Sequence, residues 1–197
     1  MYDKVPPEAG AQTLLLGKGK VLSLCQGWQL KAHEAVLRYL EDYSESTISD
    51  AWSVADVDAA FARTSKEERN TGVLMYHRAE VNEEFMASVG YGRSRTRVNY
   101  MILVHYGDVV YVGKVLHFLK VPHPDGQVPP LRLAMCTFFD PAEEVGRAWR
   151  VNTQQVHDEY YAVDTATIAH KLVVAYPGGK ETGGEMVCMP YHSQTSR

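Results

Sequence analysis

The sequence predicts an α+β chain, a helical N-terminal portion packed on a C-terminal antiparallel β-barrel. Three observations predict it. Between residues 29 and 61 apolar side chains recur at three-to-four spacing, the period of a helix face. After Gly92 the grammar changes to runs of β-branched and aromatic residues punctuated by Gly and Pro, the grammar of strands and turns. The 197 residues are 45% apolar and 22% charged, the composition of a globular fold with a real core. At roughly 150 residues per domain, the length suits one domain with an appendage or two small ones. The strongly polar run Ser65-Lys66-Glu67-Glu68-Arg69-Asn70 places the boundary, giving portions 1–70 and 71–197.

Taken in order, residues 1–20 carry a Pro-Pro pair and three glycines with few periodic apolar positions, and read as a lead-in arm. The apolar stretch 21–25 reads as a short strand. Residues 29–43 favour helix, with Leu30, Leu37 and Leu40 near one face and His33 completing the stripe. Ser53 followed three residues later by Asp56 is an N-cap with an acidic first turn, opening a short helix that carries Val54, Val57, Ala60 and Phe61. Asn82 reads as the cap of a brief helix over 83–87, ended by Gly90. Residues 98–106 and 109–121 read as two strands about Gly107-Asp108, a hairpin. Pro122, Pro124, Pro129 and Pro130 make the next span a surface loop, because proline cannot serve a central ladder. Residues 131–139, 149–151, 159–163, 167–176 and 185–191 complete about five to seven antiparallel strands. A small curled barrel solves the edge problem of such strands.

Several function classes fall away on composition. No run approaches the roughly 18 apolar residues of a membrane span, and the first residues lack a signal-peptide pattern, so an intracellular address is expected. Cys25, Cys136 and Cys188 are odd in number and widely spaced, which suits buried thiols rather than disulfides or a zinc cage. The net charge of −4 forbids a uniformly basic coat but leaves room for a local patch.

The chemistry-bearing motifs are sparse. Eight histidines occur without H-x-x-x-H or H-E-x-x-H spacing, so no metal site is expected. The adjacent pair His157-Asp158 reads as polar loop. No G-x-S-x-G elbow is present, and Gly17-Lys18-Gly19-Lys20 lacks the register of a phosphate loop. Glu67-Glu68, Glu83-Glu84 and Glu143-Glu144 lie in polar settings that do not split carboxyl pKa values. No cofactor is expected. The segment with most physical content runs from Tyr91 through Arg93, Arg95 and Arg97. When extended, it sets three guanidinium groups on one face. From Tyr91 to Lys120 the cations Arg93, Arg95, Arg97, Lys114 and Lys120 face the single anion Asp108, whereas 28–70 holds nine acids against five bases. The basic row is a candidate surface for DNA or an acidic partner, and equally a seat for the acidic helices. Aromatic residues near the strands (Tyr100, Tyr106, Tyr111, Phe118, Phe138, Phe139, Trp149, Tyr160, Tyr161) suit a core, a peptide groove or a methyl-lysine cage working by cation–π attraction.

The succession from Tyr91 to Arg97, then 98–105, Tyr106-Gly107-Asp108, Val112-Gly113-Lys114-Val115, the proline loop, Phe138-Phe139, Val151-Asn152 and the run 167–173 resembles the β-rich C-terminal region of eukaryotic DNA-transposon proteins, notably CACTA-type and fungal elements. The barrel that this resemblance implies is similar to the bromo-adjacent homology fold of chromatin proteins, and would fill 71–197. It implies a non-catalytic binding module, nuclear in setting, recognising DNA or a chromatin protein. The chain carries no recognisable ribonuclease-H-like core, and its first half matches nothing in that family by motif. The expected binding residues are Tyr91, Arg93, Arg95, Arg97, Lys114 and Lys120. The alternative is a small enzyme whose site assembles from His105, His117, His157 and Asp158 in the fold. A third reading is an assembly subunit, recognisable by a broad exposed apolar patch.

Overall fold

A computed structural model describes residues 13–22, 27–42, 51–63, 72–91, 100–106, 109–139, 143–154, 156–177 and 184–191. Strand takes 51% of it and helix 20%, so the protein is mostly β. Two strands precede the first helix: β1 (Thr13–Leu15) lies where an irregular arm was expected, and β2 (Lys20–Val21) overlaps the start of the strand expected over 21–25. Helix α1 spans Gln29–Asp42. It buries Ala32, Ala35, Val36, Tyr39 and Leu40, while Leu30 is 67% exposed. The small alanines set the buried face, because they let the helix approach the sheet closely enough for Val36 and Tyr39 to interlock with it. Each large side chain so buried contributes about 1.5–3 kcal/mol. Helix α2 (Val54–Ala62) begins at the expected cap: the Ser53 hydroxyl accepts from the Asp56 backbone N–H, and the Asp56 carboxylate accepts from the Ser53 N–H.

The remaining elements are β3 (Leu74–Tyr76), β4 (Arg78–Val81), β5 (Glu84–Ala87), β6 (Met101–Tyr106), β7 (Val109–Val121), β8 (Leu131–Phe138), β9 (Glu143–Val145), β10 (Ala148–Asn152), β11 (Tyr161–Asp164), β12 (Ile168–Ala175) and β13 (Glu185–Pro190). The helix expected over 83–87 is strand β5. Asn82 and Glu83 both take positive φ, 51° and 65°, and form a two-residue turn closing Val81 onto Glu84. That is the conformation whose twist matches a hairpin. The β6–β7 pairing runs from Met101↔Lys114 to Tyr106↔Val109, as the expected hairpin requires.

Every strand pairing among the described residues is antiparallel. A small sheet has the order β1-β4-β5, and the large sheet the order β11-β8-β7-β6-β12-β13-β10-β9, with β3 joining β7 and β2 joining β3. Both sheets are open. The expected closed barrel, and with it the picture of a helical portion packed on one, is therefore overturned. The two ends of the large sheet are managed without closure. At one end the three residues of β9 are exposed, and its Glu143 meets Arg150 at 3.7 Å, so charge guards that edge. At the other, α1 packs against β11.

Both faces of the large sheet carry a core. Helices α1 and α2 share a core with Leu119, Val121, Leu131, Leu133 and Met135. The small sheet brings Ala79, Val81 and Met86 against Val104, Phe118, Ala134, Cys136 and Phe138 on the opposite face. A third cluster, Met101, Leu103, Val112, Phe139, Val151, Leu172, Met186 and Cys188, joins β6 and β7 to β10, β12 and β13. Strand β7 carries a bulge between Val115 and His117, which reverses the faces its later residues address.

Candidate functional site

Beyond the edge of the small sheet, part of the large sheet's face is left open as a cavity of about 200 Å³ lined by Val104, Tyr111, Phe138, Tyr161, Ala162, Val163, His157 and Asp42. Alternation sets its walls. Tyr111 stands opposite Val104 on β6, Phe138 opposite Gly113 on β7, and Tyr161 opposite Cys136 on β8. The rings meet in sequence: Tyr111 and Phe138 have centroids 5.7 Å apart at 60°, and Phe138 and Tyr161 lie 5.5 Å apart at 57°. Gly113 makes this possible, because a Cβ there would fall 2.7 Å from two carbons of the Phe138 ring. The His157 ring stands 6.2 Å from Tyr161, anchored by its backbone N–H on the Phe138 carbonyl at 2.8 Å.

The cavity lining combines aromatic rings with one carboxylate, that of Asp42. Three aromatic faces are negative poles. Asp42 is the last residue of α1, whose last turn holds no basic residue, so the negative end of the helix dipole stands at the mouth. The Arg38 guanidinium lies 5.3 Å from the Tyr161 centroid and pairs with Glu159 at 2.9 Å. Glu159 also accepts from the Tyr161 hydroxyl at 3.1 Å. Glu159 thus joins the Arg38 guanidinium to the Tyr161 hydroxyl at the rim. Burial, reinforced by Glu159, raises the Tyr161 pKa and keeps its hydroxyl protonated.

Of the six binding residues expected from sequence, Tyr91, Lys114 and Lys120 are among the described residues. Arg93, Arg95 and Arg97 lie outside the described residues. Tyr91 is half-buried under Arg78, whose guanidinium is 5.2 Å from the ring and donates to the hydroxyl at 3.5 Å. Lys114 is half-buried with its Nζ 4.8 Å from the Phe139 ring, and burial lowers its pKa. Lys114 pairs with Thr137 and Lys120 with Arg132. These β8 positions are five apart on an unbulged strand, so the two lysines address opposite faces and form no single row.

Of the four residues of the enzyme alternative, His105 and Asp158 are exposed. His117 is 8% exposed, with its ring against Trp28 at 4.5 Å and His77 at 5.3 Å. Its partner strand position, Met135, belongs to the helix-side core. His157 stands with Tyr161 on the opposite face. Desolvation, with help from His77 and Lys20, lowers the His117 pKa to about 4. Among the described residues, no group of three or more His, Cys, Asp and Glu side chains gathers for a metal. Cys136 and Cys188 are buried thiols, as expected. Burial pushes Cys136 far up and Cys188 to about 12, which leaves neither as a thiolate nucleophile. No described helix is long and apolar enough to cross a membrane.

Tyr111, Phe138 and Tyr161 were among the aromatic residues that a cage reading would use. Asp42 and Gly113 were not singled out, since their roles depend on where α1 ends and which ring crosses β7. No family model, curated protein or solved structure matches the chain.

Proposed function

We propose that the chain is a non-catalytic binding module of a chromatin-associated or transposon-derived protein, and that its aromatic cavity receives a methylated lysine side chain of a protein partner. One observation carries the reading: three rings in succession, each tilted on the next, and a carboxylate at a helix C-terminus line about 200 Å³. That space is below the span of a drug-sized pocket and suits a single side-chain head. Methylated ammonium is weakly hydrated and cationic, so it gains from ring faces what a bare ammonium gives up in lost water. The resemblance to transposon and chromatin proteins supports a nuclear partner. Arg93, Arg95 and Arg97 enter the proposal as an additional cationic contact to the partner.

The test is fluorescence anisotropy with lysine peptides in all four methylation states, beside double-stranded DNA at several salt concentrations. Expected is binding that strengthens with methylation and falls at least tenfold in Tyr161→Ala and Asp42→Asn. Equal affinity for all four states, or loss only in an Arg93→Glu, Arg95→Glu, Arg97→Glu variant with a steep salt slope, would replace the cage by phosphate anchoring.

A further inference from the structure

A second cavity, of about 290 Å³, opens where β8 begins, β11 ends and the proline loop turns back. Trp52, Val128, Pro129, Pro130 and Leu131 give it hydrocarbon walls, and Asp164 gives it a carboxylate. Asp164 Oδ1 accepts from the Ala166 N–H at 2.8 Å and Oδ2 from the Tyr39 hydroxyl at 3.2 Å. Both donors are neutral. Among the described residues no ion pair involves Asp164. Burial raises its pKa above the ordinary carboxylate value. Arg132 also borders the cavity, but Asp164 pairs with Leu133, so the neighbouring Arg132 directs its exposed side chain to the opposite face.

A half-buried carboxylate with no cation beside it loses part of its hydration uncompensated, and here open space lies beside it. A single carboxylate is too few oxygens for a calcium or magnesium ion, and apolar walls suit an alkyl chain better than a hydrated ion. The Thr13 hydroxyl, within 2.8 Å of Thr165 Oγ1, which itself donates to the Arg132 carbonyl, offers further acceptor capacity to a group that only donates.

We propose that this cavity binds a primary alkylammonium group, its charge against Asp164 and its chain along Trp52, Val128 and the two prolines. The site is separate from the aromatic cavity. Tyr161 and Val163 face the small sheet's side, whereas Asp164 meets Tyr39 of α1, so either proposal can fail alone. The ammonium has two possible sources, a free small amine or a partner's lysine.

The test is a ¹⁵N NMR titration of the full chain with n-butylammonium chloride and with Nα-acetyl-lysine methylamide, following the Ala166 amide. Expected is saturation at roughly millimolar concentration for at least one probe, with n-pentanol at least tenfold weaker. Asp164→Asn keeps an acceptor for the Ala166 N–H but loses the charge, and should weaken binding at least tenfold. Val128→Trp fills the cavity from the loop and should abolish the shift. A butylammonium affinity at least tenfold above that of the lysine derivative assigns a free amine; an affinity at least tenfold higher for the lysine derivative assigns a partner's side chain. No saturable shift with either probe, or undiminished binding by Asp164→Asn, overturns the site.

Discussion

Replacing Gly113 by alanine tests the cavity at its narrowest dependence on sequence. The added Cβ would lie 2.7 Å from Cδ1 and Cε1 of Phe138 and 3.2 Å from the Thr137 carbonyl oxygen. Carbon pairs prefer about 3.5–4.0 Å, so the ring must retreat by about 1 Å. It has little room to do so, with Tyr111 and Tyr161 on either side at 5.7 and 5.5 Å and its residue only 8% exposed. Overpacking of this kind costs about 1–3 kcal/mol, which for a chain of this length lowers Tm by about 2–12 °C. The ring's displacement also narrows the cavity. Differential scanning calorimetry with anisotropy on the trimethyl-lysine peptide reads both effects. A variant that melts within about 1 °C of the parent and binds equally well would refute the claim that Gly113 makes space for the third wall.

Other consequences follow from the core and the turns. His117 is held at about pKa 4, below the ordinary value of about 6.5, so the unfolded chain binds the extra proton. Its contribution is therefore fully present above about pH 6.5 and lost as pH falls toward 4, up to about 3 kcal/mol in all; urea denaturation of His117→Gln should show a flatter profile across that window. Ser53→Ala removes one half of the reciprocal cap on α2 and should cost about 1 kcal/mol, read as a lower urea midpoint with unchanged m-value. Glu83→Gly should stabilise by up to about 1 kcal/mol, because Glu83 sits at φ 65°, where a side chain is strained and glycine is not; a lower melting temperature would contradict that.

Local features were legible where they rest on chemistry within a few residues. The cap at Ser53, helix α1 to within a residue of its expected end, and the β6–β7 hairpin all follow from period, cap and turn residues. Asn82 misleads because the same side chain serves helix caps and left-handed turns, and only the pairing of β4 with β5 decides between them. The barrel expectation fails for a physical reason: edges can be guarded by a charged strand such as β9 or by a helix beside β11, and a strand inventory does not distinguish these from closure. The bulge after Val115 is likewise silent in sequence, yet it alone separates Lys114 from Lys120 across the sheet. The aromatic residues were visible as types. Their convergence depends on β8 pairing with β11 over a long intervening segment, and on Asp42 ending α1 at the mouth.

The most direct measurement compares two ligands of one shape. Nε-trimethyl-lysine amide and its uncharged tert-butyl analogue fill the cavity equally but differ in the charge offered to Tyr111, Phe138, Tyr161 and Asp42. NMR titration should give the cation an affinity about threefold to thirtyfold higher, the span of a partly desolvated cation–π contact. Equal affinities would mean that the cavity recognises apolar bulk alone, and the proposed selection of a methylated cation would be contradicted.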